Sequence, residues 1–199
     1  MNASDYILQR AGLLYYQYGI RVITMDDVAH ACGISKKTLY NHYDNKAMLV
    51  AASIENKLTT IRKHYIAVQK VAENAIDEIF KGVANIELFF SIISYHMLEE
   101  LEKYYRELWD ATQQSMQATG KDVTIKNLQR GQAEGLYHSC FDSEIMTRMR
   151  MLLFTAMHKE SKDIDNLHSF LMQVNKHYLS GLCTAKGIKE LKRYHSINN

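Results

Sequence analysis

The chain of 199 residues is 47% hydrophobic and 23% charged, with a formal net charge of +2, which places it among ordinary globular chains of one or two domains. It contains no proline, so polyproline segments, proline-rich linkers and collagen-like structure are excluded, and turns fall to Gly, Asn, Asp and Ser. A net charge this small does not by itself imply a nucleic-acid partner.

The charge is unevenly placed. Residues 1–50 carry five Lys/Arg against four Asp/Glu, and residues 186–199 carry four against one, flanking a weakly acidic middle. Cys32, Cys140 and Cys183 lie far apart without a CxxC pair, which supports neither a disulfide framework nor a zinc ribbon. His138 and Cys140 form a lone HxC, read as a loop histidine and a buried thiol rather than a metal site. The N-terminus lacks the pattern of a signal peptide and no apolar run approaches a membrane span, so the expected setting is the cytoplasm.

Apolar residues recur at helical spacing almost throughout, which predicts an all-α chain of about nine helices. Ser4 can cap a first helix with an inner stripe of Ile7, Ala11, Leu14, Tyr15 and Tyr18, and Gly19 is placed to end it in a left-handed conformation. Thr24 and Asp27 form a capping-box pattern opening a short helix over 25–31, followed by a tight turn at Cys32-Gly33-Ile34. Ser35 can cap a third helix over 36–42, and Asp44 or Asn45 a long fourth one from Lys46 toward residue 70. Further helices are predicted over 73–93, 95–118 with a break near Lys103, 122–134, 143–159 and 163–184. Thr119-Gly120, Glu134-Gly135 and Lys186-Gly187 read as glycine stops, and Asp142 or Ser143 and Asp163 as N-caps. Residues 189–194 extend the last helix or fray.

Residues 24–43 read physically as a helix-turn-helix. Two helices of about seven residues are too short to be stable alone, so they must pack across each other and on the first helix through Val28, Ala29, Cys32, Ile34, Leu39 and Tyr43. Lys36, Lys37, Thr38, Tyr40, Asn41 and His42 are left facing outward, a hydrogen-bonding set suited to a major groove.

This segment resembles the N-terminal DNA-binding domain of the TetR family of transcriptional regulators. The resemblance rests on Thr24, Val28-Ala29, Cys32-Gly33-Ile34-Ser35, Leu39-Tyr40, His42-Tyr43 and Lys46, with Ile7-Leu8, Ala11, Leu14-Tyr15 and Gly19 in the first helix. It implies a helix-turn-helix domain over 1–49 and a helical regulatory and dimerisation domain over 50–199, joined through the long fourth helix. It further implies phosphate contacts from Thr24, Tyr40 and Lys46 and base-edge contacts from Lys36, Lys37, Thr38 and Asn41. His42 can donate to a phosphate, more strongly when protonated.

The resemblance also implies a ligand pocket in the middle helices. Tyr65, Phe89, Phe90, Tyr95, Met97, Trp109, Met116, Met149 and Phe154 are candidates for its wall, although such residues can equally be plain core. With little charge expected inside, an apolar or aromatic effector is expected rather than a highly charged one. Helices 143–159 and 163–184 carry Ile145, Met149, Leu152, Leu153, Ala156 and then Leu167, Phe170, Leu171, Val174, Tyr178 and Leu182, more apolar surface than one bundle face needs, and a family-like homodimer would bury the surplus.

No P-loop, GxGxxG, GxSxG or paired-carboxylate signature is present, so an enzyme is not expected, nor is a cofactor or metal. The predicted function is a dimeric regulator, a repressor released from a palindromic double-stranded operator by a small molecule. The alternative is a DNA-binding architectural or protein-partner-controlled regulator whose middle domain is solid.

Overall fold

The computed structural model describes residues 2–84, 95–160 and 167–194, with side chains at all of these except 84, 95, 154–160 and 167. Ten helices are described: α1 Ala3–Tyr18, α2 Met25–Cys32, α3 Lys36–His42, α4 Lys46–Val71, α5 Ala75–Ala84, α6 Tyr95–Tyr104, α7 Arg106–Ala133, α8 Ser143–Glu160, α9 Leu167–Leu182 and α10 Ala185–Arg193. The chain is all-α, as expected; an isolated antiparallel bridge joins Tyr137 and Cys183. No described helix is long and apolar enough to cross a membrane. Two compact units are drawn from residues 1–62 with 88–116 and from 63–87 with 117–199. The boundary expected at 49/50 falls in the first turn of α4, and the units divide further along that helix, after Arg62.

In the first unit, Ile7, Ala11 and Tyr15 of α1 are buried with Val28, Ala29 and Cys32 of α2, Leu39 of α3 and Leu49, Val50 and Ile54 of α4. Three details of α1 differ from expectation. Asn2 is its cap, accepting from the Asp5 N–H at 2.8 Å, while Ser4 lies inside the helix with its hydroxyl 2.7 Å from that of Tyr43. Tyr18 is 60% exposed, so it leaves the inner stripe. Gly19 does end the helix, but at φ +88°, ψ 157°, an extended conformation open to glycine rather than the helical left-handed one. Asn45 caps α4 through Met48 N–H at 2.9 Å.

The expected break near Lys103 occurs at Tyr105, between α6 and α7. The stop expected at Thr119-Gly120 is absent, because α7 runs uninterrupted to Ala133. Gly120 serves packing instead: a Cβ there would lie 2.7 Å from Met151 Sδ. Glu134-Gly135 does end the helix, with Gly135 at φ +68°.

The second unit is built on Ala75, Ile76, Phe80, Leu128, Leu136, Leu179 and Leu182. Asp142 caps α8, accepting from Glu144 N–H at 2.7 Å and Ile145 N–H at 3.1 Å; Asp163 lies outside the described residues. The stop expected at Lys186-Gly187 is also overturned. Thr184 caps a separate helix, α10, whose Gly187 lies so close to the Leu136 carbonyl that a Cβ would come within 2.1 Å of its oxygen. That helix is anchored rather than frayed. Leu191 is buried, and Tyr194 stacks on Phe80 at 4.6 Å and donates to Asp77 at 3.0 Å. Cys140 is exposed, not the buried thiol expected, since it lies in the turn between α7 and α8.

Candidate nucleic-acid interface

The local sequence dictates how α2 and α3 are displayed. Thr24 accepts from Asp27 N–H at 3.2 Å while Asp27 accepts from Thr24 N–H at 2.8 Å, closing the capping box that fixes the start of α2. Gly33 turns the chain at φ +65°, ψ 30°, and its N–H bonds back to the end of α2. Ser35 then caps α3, accepting from Thr38 N–H at 3.0 Å. Leu39 and Tyr43 point inward and are buried, and Ile34 is half-buried.

Lys36, Lys37, Thr38, Tyr40, Asn41 and His42 are all exposed on this one seven-residue helix. They are not equally available. The Lys36 ammonium is 2.8 Å from Asp26, and that hydrogen-bonded carboxylate raises its pKa. Thr38 shares a 2.8 Å contact with the Ser35 hydroxyl. Thr24 is exposed, yet its hydroxyl donates to Asp27 at 2.6 Å, and that bond is the main cause holding the Asp27 carboxyl below its usual range. Lys46 is half-buried and donates to the Arg21 carbonyl at 3.0 Å. Burial lowers its pKa, against the opposing pull of Glu100 and Asp27. Lys37, Asn41 and His42 make up the least committed part of the face.

Sequence reasoning missed Glu100. This buried residue of α6 accepts from the N–H of Ile20, in a very short bond, and from that of Arg21 at 3.3 Å. The Gly19–Thr24 loop leading into α2 is thus held by Glu100 on its donors and by Lys46 on an acceptor. Glu100 follows Met97 by three residues, but which face of α6 turns inward, with Met97 and Leu101 fully buried, is read from the structure and not from the string. Glu100 also lines a cleft of about 480 Å³ together with Arg21, His96, Glu99, Glu102, Lys103 and Tyr104.

Of the side chains expected to line an effector pocket, Met97 is fully buried and Trp109 and Met116 are half-buried in the first unit. Tyr65 is half-buried and Met149 is 46% exposed in the second. Phe89 and Phe90, and the side chains of Tyr95 and Phe154, lie outside the described residues.

Residues 7–53 match the model of the bacterial regulatory proteins of the tetR family. The chain is 28% identical over 87 residues to the uncharacterized HTH-type transcriptional regulator YvaF of Bacillus subtilis, covering 43% of this chain and 46% of that protein. It is 38% identical over 52 residues to the biofilm operon icaADBC HTH-type negative transcriptional regulator IcaR of Staphylococcus epidermidis, covering 26% of this chain and 28% of that one. The matches thus span less than half the length of these curated relatives. In fold, the chain is similar to a transcriptional regulator from Cytophaga hutchinsonii, with a TM-score of 0.75 at 16% identity over 90% of this chain and 98% of that one.

Proposed function

The chain belongs to the TetR family through its N-terminal helix-turn-helix domain, and from that premise we propose that it is a cytoplasmic, homodimeric transcriptional repressor that binds a palindromic operator and is released by a small organic effector. The observation that carries this reading is the display of Lys37, Tyr40, Asn41 and His42 on the open side of α3, whose other side is anchored by buried Leu39. Lys36, Lys37, Thr38 and Asn41 read base edges, and Thr24, Tyr40, His42 and Lys46 position the duplex through phosphates.

Dimerisation is supported by apolar side chains left in solvent on α8 and α9. Ile145 is 54% exposed, Leu152 71% and Phe170 36%, more apolar surface than a monomer gains by displaying. Two copies joined there would present two recognition helices to a two-fold operator. Release requires an effector that favours the DNA-incompetent arrangement by differential affinity.

Selection of bound fragments from a random DNA pool by the purified chain tests the reading. A recovered palindrome whose binding is lost with the α3 substitutions supports it, while fragments without a common sequence count against it. A monomer by light scattering at micromolar concentration refutes the dimer.

A further inference from the structure

Two arginines in the second unit are treated very differently. Arg130 on α7 is well paired: it donates to Glu134 at 2.8 Å, to Glu78 at 3.0 Å and to the carbonyls of Ala72 at 2.8 Å and Gln69 at 3.4 Å. Arg150 on α8 has no acidic partner among the described residues. One of its terminal nitrogens donates to Asn175 at 2.5 Å, and the other is shielded from solvent without a hydrogen-bond partner. Its guanidinium lies 4.7 Å from the ring centre of Tyr178, whose hydroxyl is likewise shielded and unpaired. Asn175 cannot substitute for a counter-ion, since it is neutral and its amide nitrogen is spent on the Leu171 carbonyl at 2.7 Å.

A guanidinium only donates, and it stays cationic at any pH a protein survives. Burial lowers its pKa without approaching neutrality. Burial also raises the pKa of the Tyr178 phenol, so that group remains a neutral donor. Enclosed charge without an opposite charge is costly, and here it stands beside a second orphaned donor. We propose that Arg150 and Tyr178 form the head of an effector site for a small organic monocarboxylate, one oxygen of which accepts from the free Arg150 N–H and from the Tyr178 hydroxyl.

The class follows from the chemistry. The set repels cations, offers nothing extra to a neutral acceptor, and balances one negative charge; a dianionic phosphate would leave surplus charge in the same low-dielectric site. Met146 precedes Arg150, and Val174 precedes Tyr178, by one helical turn, and both are half-buried, so apolar side chains share the helix faces that carry the two donors. This assignment rests on the effector-responsive reading above. It keeps the expected apolar body and adds a charged end that composition did not reveal.

Calorimetry and thermal shift on the full chain, without DNA, test it with octanoate and benzoate against their amides and octyl phosphate. We expect at least one of the carboxylates to bind and raise Tm, with the amides and the phosphate about tenfold weaker or worse, since a hydrogen bond to a charged group is worth about 1.5–3 kcal/mol. Arg150→Met should abolish the preference for the carboxylate over its amide. If that variant does not fold, Arg150→Lys and Tyr178→Phe decide, each expected to weaken the carboxylate at least several-fold. The proposal is overturned if neither carboxylate binds, if octyl phosphate binds more tightly, or if affinity survives these substitutions. A chain that binds octanoate yet keeps its DNA retains the site and loses only the effector-release reading.

Discussion

Glu100→Ala removes the acceptor that holds the loop entering the DNA-binding motif. The Ile20 N–H is enclosed, with the residue fully buried, so truncation leaves a donor that water cannot reach. The Arg21 N–H, at 3.3 Å and only partly buried, can exchange its bond for water at little cost. One charge-assisted bond therefore counts in full, about 1.5–3 kcal/mol. Relief of the carboxylate's own burial offsets part of it, giving an expected loss of about 2 kcal/mol. Glu100→Gln keeps an oxygen for Ile20 and should lose about 1 kcal/mol. Urea unfolding can be followed through Trp109, the single tryptophan, which lies in the same unit. A midpoint for Glu100→Ala indistinguishable from wild type, at unchanged slope, would refute the reasoning; so would equal losses in the two variants.

Further outcomes are open to direct measurement. Lys46→Ala should weaken operator and random DNA alike and reduce the salt slope by about one unit, whereas Asn41→Ala should mainly relax sequence preference; competition binding at several salt concentrations separates them. Gly187→Ala places a methyl group against the Leu136 carbonyl oxygen and should cost about 2–4 kcal/mol as α10 is levered from its seat, read as a lower Tm. Burial depresses Lys57 from 10.5 to about 8. Between those values the unfolded chain binds the extra proton, so wild type should gain stability relative to Lys57→Met as pH rises from about 8 to 10.5, by about 2–3 kcal/mol. A constant difference across that range would contradict it.

The N-terminal region was legible because its signals are local. The Thr24/Asp27 box, Gly33 and Ser35 each do in the structure what their spacing dictates. Glycine beyond it was ambiguous, because the same residue ends a helix at Gly135 and permits close packing at Gly120 and Gly187. Only the tertiary neighbour, Met151 or the Leu136 carbonyl, distinguishes the two uses. Buried polar residues were illegible for a related reason. Glu100 sits among Glu99 and Glu102, and Arg150 near Arg148, with nothing in the string to say which one turns inward.

The pairing of Lys36 with Asp26 has a consequence for how the protein searches DNA. On the proposed reading of α3, a phosphate of random duplex that attracts this lysine competes with a carboxylate already 2.8 Å away, so part of the face's positive charge would be withheld from indiscriminate attraction. An operator that presents a well-placed guanine edge, together with matching contacts for its neighbours, can repay the broken ion pair. On that reading the acid would widen the gap between specific and random binding without touching DNA itself. Each pause on the wrong sequence would then be shorter, a kinetic benefit carried by a residue outside the helix proposed to read the bases.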